Sequence, residues 1–400
     1  MLTEAFLAGK EVIDKLNSHN HQAFFVGGCV RDLLLNREIG DIDIATSAAP
    51  KMVQNIFDKV IPVGIEHGTV IVRHKQQSFE VTTFRVDGKY TDQRHPDEVT
   101  FVSAVDKDLE RRDFTINALA MDMNGKIIDL FGGKKDLQQK VIRTVGDGYE
   151  RFTEDPLRII RAIRFSGQLG FFIDHDTLQA MEQVKKQIKN LAKERITQEI
   201  TKLFAGSYLN LGIDYLKRTE IYKNLPIIAQ YPGIIHKLPK SLKPLYSFGE
   251  TIALFHYIEP QVPIINWVKA WKCSNKIKQE AIQLIDALRY YQEHQIDKWL
   301  VYQLDSVYYS GFDRLISIFH PEDYPIEPTM KKLVRELPIQ SKKDLALNGN
   351  HLMELFPEAP KGPWLKNTIN RLEKEVVLGR IINTKYTLKE WIRCNPPEIN

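Results

Sequence analysis

Ala23-Phe24-Phe25-Val26-Gly27-Gly28-Cys29-Val30-Arg31-Asp32-Leu33-Leu34-Leu35 reads as a strand running through a glycine turn into a helix, and Gly40-Asp41-Ile42-Asp43-Ile44-Ala45-Thr46 follows it closely. Strand side chains alternate with period two, so Asp41 and Asp43 project together while Ile42 and Ile44 point back into a core. Two carboxylates on one strand face can hold the metal ions of a phosphoryl-transfer site. Paired glycines let the backbone approach a ligand, helix N-terminal amides favour anions, and Arg31 adds a charged fork in the first turn. Together the two stretches suit a triphosphate beside metal ions. Taken singly, the first is also a tight turn with a solvated arginine, and Asp-x-Asp is common in turns.

Gly27 to Asp32 followed by Asp41-Ile42-Asp43 resembles the head of the class II tRNA nucleotidyltransferases, the CCA-adding family of the polymerase beta superfamily. Three further stretches match in order. Arg111-Arg112-Asp113-Phe114-Thr115-Ile116-Asn117-Ala118-Leu119 resembles the family's second motif. Glu154-Asp155-Pro156-Leu157-Arg158, with Arg161 and Arg164, resembles its nucleotide-selecting helix, and Lys193-Glu194-Arg195-Ile196 resembles a downstream structural motif. Asn348-Gly349-Asn350 and Gly362-Pro363-Trp364 are weaker echoes of the bacterial tail. The resemblance implies an α+β chain: a nucleotidyltransferase-fold head with a mixed β-sheet, then all-α neck, body and tail.

Physically, Pro156 suits the first helical position, which places Asp155 at the N-cap with Arg158 as an i,i+3 partner. The same geometry can read a base: the carboxylate accepts from an exocyclic amine while the guanidinium donates to the adjacent ring nitrogen. Cytosine and adenine both offer that order, whereas uracil and guanine present a carbonyl and a ring N–H. Such a pair accepts C and A and rejects U and G without a nucleic-acid template, because unpaired polar groups in a dry pocket are costly. Arg161 and Arg164 continue the spacing, toward phosphates or the incoming base, or as a solvated basic stripe.

The implied chemistry is attack of an RNA 3′-hydroxyl on the α-phosphate of CTP or ATP, releasing diphosphate. Two divalent ions, about 4 Å apart in such sites, polarise the attacking and leaving oxygens. Mg²⁺ fits an oxygen-only ligand set. Asp41 and Asp43 are the expected metal ligands and Glu80 the third catalytic carboxylate, because a strand through Ser78 to Phe84 sets Glu80 opposite Phe79 and Val81. Gly28, Arg31 and Arg112 are expected at the nucleotide, Arg112 at triphosphate or ribose. An exposed strand glutamate and a helix-surface arginine are the plainer readings of Glu80 and Arg112.

Composition agrees with a soluble intracellular enzyme but does not by itself point to one. The 400 residues, 43% hydrophobic, can fill several cores, and Cys29, Cys273 and Cys394 are too scattered for a disulfide frame or a cysteine zinc site. Glu4 and Lys10 interrupt any signal core, and no membrane-spanning apolar run follows, so a cytoplasmic protein is expected. His175-Asp176 lacks clustered histidine partners and is expected in a loop. Residues 1–150 alternate short strands with helices and read as the catalytic head. The helical period dominates afterwards, with a neck at 151–205, a body at 206–330 and a tail at 331–400. From Lys331 to Asn400, thirteen Lys and Arg stand against eight Asp and Glu, a net of +5 in a chain whose total is +4. A basic tail suits a phosphate backbone or is simply a solvated surface; the resemblance implies tRNA as partner and suggests a homodimer.

Val86 to Pro96 is charge-rich and lies between strands, resembling the flexible loop that complete CCA-adding enzymes need when switching from C to A. Two other readings stand beside CCA addition: a bacterial poly(A) polymerase, whose head is similar, and an RNA-binding protein with an inactive head.

Overall fold

The computed structural model describes residues 4–88, 90, 97–240 and 242–399. It falls into two compact units, Met1–His236 and Lys237–Asn400. The compact division lies inside the stretch 206–330 read as the body. The protein is α+β, and its β-structure belongs to the first unit.

Nine strands form the head: β1 (Ala23–Val26), β2 (Asp43–Thr46), β3 (Val60–Gly64), β4 (Thr69–His74), β5 (Gln77–Thr83), β6 (Arg85–Asp87), β7 (Val99–Phe101), β8 (Leu119–Met121) and β9 (Ile127–Asp129). Seven make one mixed sheet in the order β3-β4-β5-β2-β1-β8-β9, while β6 and β7 form a separate hairpin. The β2–β5 pairing is parallel and sets Asp43 directly opposite Glu80. Alternation explains the faces. Ile44, Phe79 and Val81 are at most 1% exposed, so their neighbours Asp43 and Glu80 are turned to the other side. The Glu4–Ser18 helix covers the buried face with Phe6, Val12, Ile13 and Leu16, and the Phe6 and Phe25 rings meet edge-on at 4.9 Å.

Behind the sheet come the Gly148–Glu154, Leu157–Leu169, His175–Val184 and Lys193–Phe204 helices. Leu157–Leu169 buries Ile159, Ile160, Ala162 and Ile163, and it approaches the Leu209–Arg218 helix through glycines. A Cβ on Gly212 would stand 2.4 Å from Leu203 Cδ1 and 3.3 Å from Gly167 Cα, so a side chain there forces the helices apart. His175-Asp176 is not in a loop; it opens the His175–Val184 helix, capped by the Asp174 carboxylate.

The second unit is helical. Trp267 and Trp271 are fully buried, and Glu250, 2% exposed, is gripped by Arg314 at 2.8 and 2.9 Å. Residues 339–392 build a core of their own around Leu352, Trp364, Leu372, Val376 and Ile392. Among the described residues no helix is long and apolar enough to cross a membrane.

Candidate active site

A cavity of about 680 Å³ in the first unit is lined from β1, β2, β5, the Arg111-to-Asn117 stretch and the Leu157–Leu169 and Lys193–Phe204 helices. Nine of its lining side chains are Arg or Lys and six are Asp or Glu, so it favours a polyanion. It holds every residue expected at the site: Gly28, Arg31, Asp41, Asp43, Glu80, Arg112, Asp155, Arg158, Arg161 and Arg164.

Asp41 precedes β2 rather than lying on it, and Ile42 beside it is buried. Burial, then the charges of Glu80 and Asp41, outweigh nearby Arg112 and push the Asp43 carboxyl up to about 6. Among the described residues, none of Asp41, Asp43 and Glu80 has an ion-pair partner. Among the described residues, only His320, Glu322 and Asp323 bring three ligand atoms within 4.8 Å of one another, so the Asp41–Asp43–Glu80 trio is more open than that. An all-oxygen, under-compensated acidic trio is a fitting donor set for a hard divalent ion.

The turn at Gly27 is where glycine is required. Its φ is +73°, and a Cβ would come 2.8 Å from Arg112 Nη1 and 3.8 Å from Asp43 Oδ2. At Gly28, which opens the helix, a Cβ would meet nothing closer than Arg31 Nη2 at 3.7 Å. Arg31 is not solvated: it grips Asp32 at 2.9 and 2.8 Å, donates to Asn117 Oδ1 at 2.7 Å, and lies 5.1 Å from the Phe165 ring centre. Arg112 donates to Asp108 at 3.1 Å, and Arg111 grips the same carboxylate. Burial alone would raise Asp108; Arg112 and Arg111 bring it below the usual carboxylate range.

The selecting helix differs from its expected geometry. Pro156 precedes the first helical residue, Leu157, and Asp155 Oδ1 accepts from the Leu157 N–H at 3.1 Å. Arg158 does not pair with Asp155. Its Nη1 donates to Glu154 Oε2 at 2.6 Å and to the Arg151 carbonyl, while Nη2 donates to the Arg111 carbonyl. Asp155 is held instead by Arg195, Nη2 to Oδ2 at 2.7 Å and Nη1 to Oδ1 at 3.2 Å. Arg161 binds Asp113 at 2.6 and 2.8 Å. Arg164 is buried rather than part of a solvated stripe; it meets Glu199 and stacks 3.8 Å from the Phe165 centre. Its burial, with the Arg161 charge alongside, outweighs Glu199 and pulls its guanidinium down to about 10.

Asp108, Asp113, Asn117, Arg195 and Glu199 were not singled out as site residues in the sequence. Asp108 carried a signal, since Arg111 and Arg112 stand three and four residues beyond it. Arg195 sits in a stretch taken as structural. Residues 89 and 91–96 of the expected loop lie outside the described residues; its root, Asp87, meets Arg85 at 2.9 Å and accepts from Tyr90 Oη at 2.8 Å.

Residues 23–143 match the family of poly(A) polymerase head domains, 170–231 the "probable RNA and SrmB-binding site of polymerase A", and 250–392 the "tRNA nucleotidyltransferase domain 2 putative". A CCA-adding enzyme of Oceanobacillus iheyensis is 50% identical over 402 residues, with 100% of both chains covered. The chain belongs to the CCA-adding enzymes. Another CCA-adding enzyme, from Anoxybacillus flavithermus, is 40% identical over 407 residues, again with 100% of both covered. Among solved structures, the Bacillus stearothermophilus CCA-adding enzyme in complex with CTP superposes with a TM-score of 0.89 at 35% identity, covering 98% of each chain. The Thermotoga maritima CCA-adding enzyme complexed with tRNA_CCA shares the fold, with a TM-score of 0.63 at 20% identity over 98% of this chain and 96% of that one. This CCA-adding enzyme is thus a nucleotidyltransferase of a family that uses a divalent metal. Full-length identity to CCA-adding enzymes favours that reading over the poly(A) polymerase and inactive-binder ones.

Proposed function

We propose that the cavity binds CTP and ATP and joins them to tRNA 3′ ends as C, C and A without a nucleic-acid template, releasing diphosphate at each step. One observation carries the reading: Asp41, Asp43 and Glu80 line the same cavity as Asp155, Arg158 and the arginine array. The carboxylate trio would hold the divalent metal, Mg²⁺ on this reading. When bound, metal supplies Lewis-acid polarisation of the attacking and leaving oxygens.

The chain's own groups do the rest. Arg31 and Arg112 orient phosphates, with Gly27 and Gly28 keeping the backbone low beneath them. The Asp155 carboxylate accepts from the base's exocyclic amine and the Arg158 guanidinium donates to its ring nitrogen, while Arg161 and Arg164 position the nucleotide against Phe165. Arg158 keeps N–H donors beyond the three that hold Glu154 and the two carbonyls, so it can meet a base while still anchored. The segment from Val86 to Pro96 favours the C-to-A switch. Further parts of the reading are a head at 1–150, a neck at 151–205, a body at 206–330 and a tRNA-binding tail at 331–400, in a homodimer working in the cytoplasm.

The test is incubation with Mg²⁺ and a tRNA transcript ending at the discriminator base, with CTP, ATP, UTP and GTP separately and together, followed by 3′-end sequencing. CC with CTP alone and CCA with CTP plus ATP are expected. Long A tails, or equal use of UTP and GTP, would refute the reading.

A further inference from the structure

We propose that Arg195 is a specificity-determining positioning residue: it fixes the plane of the Asp155 carboxylate so that one lone pair, on Oδ2, is left to accept the exocyclic amine of the incoming base. The inference rests on Asp155 reading the base. An ionised carboxylate offers about four lone-pair sites. Oδ1 already accepts two hydrogen bonds, from the Leu157 N–H at 3.1 Å and from Arg195 Nη1 at 3.2 Å. Oδ2 accepts one, from Arg195 Nη2 at 2.7 Å. The unused site is therefore on the oxygen more tightly held by Arg195, and Asp155 and Arg195 both line the cavity.

The geometry is specific to a guanidinium. A two-pronged grip fixes the carboxylate plane as well as its position, whereas a lysine ammonium, a point charge, leaves the group free to turn about one contact. Arg195 comes from the Lys193–Phe204 helix and Asp155 from the entrance of the Leu157–Leu169 helix, so two elements set the orientation jointly. Arg158 does not hold Asp155 here: three of its N–H groups point to Glu154 and the carbonyls of Arg151 and Arg111. A carboxylate held this way also remains an acceptor only: it suits an amine and faces the uracil or guanine carbonyl as like against like. Released, the carboxylate no longer holds a lone pair at a fixed place, so the hydrogen bond that favours an amine over a carbonyl is weakened.

The experiment measures single-nucleotide incorporation by the full-length enzyme, with Mg²⁺ and tRNA ending at the discriminator base, and compares kcat/KM for CTP with that for UTP. Arg195→Ala should lower the CTP-over-UTP ratio by about tenfold or more, chiefly through the KM for CTP, and added guanidinium ion should restore part of it. Arg195→Lys should fall between the two. Asp155→Ala and the double variant Asp155→Ala/Arg195→Ala should have equal ratios, because Arg195 acts through Asp155. If Arg195→Ala does not fold, Arg195→Lys decides alone: an intermediate ratio supports the role and a wild-type ratio overturns it. Wild-type selection in Arg195→Ala with lost selection in Asp155→Ala, or additive losses in the double variant, overturns the role of Arg195 and leaves Asp155 as the reader. Wild-type selection in Asp155→Ala overturns the base reading and this inference with it.

Discussion

Asp113→Asn tests whether the arginine array is held by buried charge. Asp113 Oδ2 receives Arg161 at 2.6 and 2.8 Å, and Oδ1 accepts from the Phe114 N–H at 2.8 Å and Asn117 Nδ2 at 3.1 Å. Burial on its own would raise this carboxyl, but Arg161, Arg158 and Asn117 prevail and bring it from 3.8 to about 2. At 1.36 kcal/mol per unit, that depression contributes about 2 kcal/mol of stability at neutral pH. The sign follows from a folded value below the unfolded one: the contribution is whole above 3.8 and is lost as pH falls through 3.8 toward about 2. The amide keeps the shape and removes the charge, leaving Arg161 with Glu199 at 3.9 Å. Urea unfolding should therefore show Asp113→Asn about 2 kcal/mol less stable than wild type at pH 7, with the gap narrowing by about 1 kcal/mol between pH 5 and pH 3. A gap that is absent at pH 7, or one unchanged down to pH 3, would refute the reasoning. The same variant should raise the KM for CTP, because Arg161 loses its anchor in the cavity.

Three other outcomes are expected. Asp41→Ala and Asp43→Ala should each abolish incorporation in Mg²⁺ while tRNA retention on a filter stays within about twofold, and substantial residual turnover would remove the metal assignment. Gly27→Ala forces a side chain into a +73° φ and against Arg112, so it should lower stability by about 1–3 kcal/mol and raise the KM for CTP; an unchanged melting temperature would show that the turn tolerates a Cβ. Replacing Asp92-Gln93-Arg94 with glycines should spare CTP incorporation and impair ATP incorporation, whereas equal loss of both would contradict a role in the switch.

Local chemistry was the legible part. Period-two alternation set Phe79 and Val81 against Glu80 and Ile44 against Asp43, and the apolar run before Gly27 is a strand because it is buried on the core side. What alternation does not carry is which strands pair: the parallel match of Asp43 to Glu80 depends on the sheet assembling in the order β5-β2-β1. The ion pairs show the limit most sharply. Neighbour rules make Arg158 the partner of Asp155, yet the partner is Arg195, 40 residues away, and Asp113 meets Arg161, 48 residues away. At a helix entrance the Asp155 side chain can turn from its own helix toward the next one, and only packing decides. His175-Asp176 misled for a related reason: a polar pair reads as loop until Asp174 is recognised as the cap. Helical periodicity suggested the four-part partition, whereas the division after His236 depends on which helices share a core, and periodicity does not encode that.

The arginine partners bear on how the cavity can discriminate at all. Each arginine lining it has a carboxylate within 4.0 Å: Arg31 with Asp32, Arg85 with Asp87, Arg111 and Arg112 with Asp108, Arg158 with Glu154, Arg161 with Asp113, Arg164 with Glu199 and Arg195 with Asp155. Left unpaired and buried side by side, such cations would be costly: burial above all, with the Arg161 charge adding to it, already lowers Arg164. The carboxylates therefore hold the array together before substrate arrives. They also limit what charge alone can do, since a triphosphate meets guanidinium groups whose charge is already partly compensated. Affinity then depends on whether an incoming group reproduces the hydrogen bonds it displaces, which is a geometric criterion. On the proposed base reading, a base with the wrong edge breaks a pair and makes none in return, so selection against U and G would have the same physical origin as the pre-formed ion pairs.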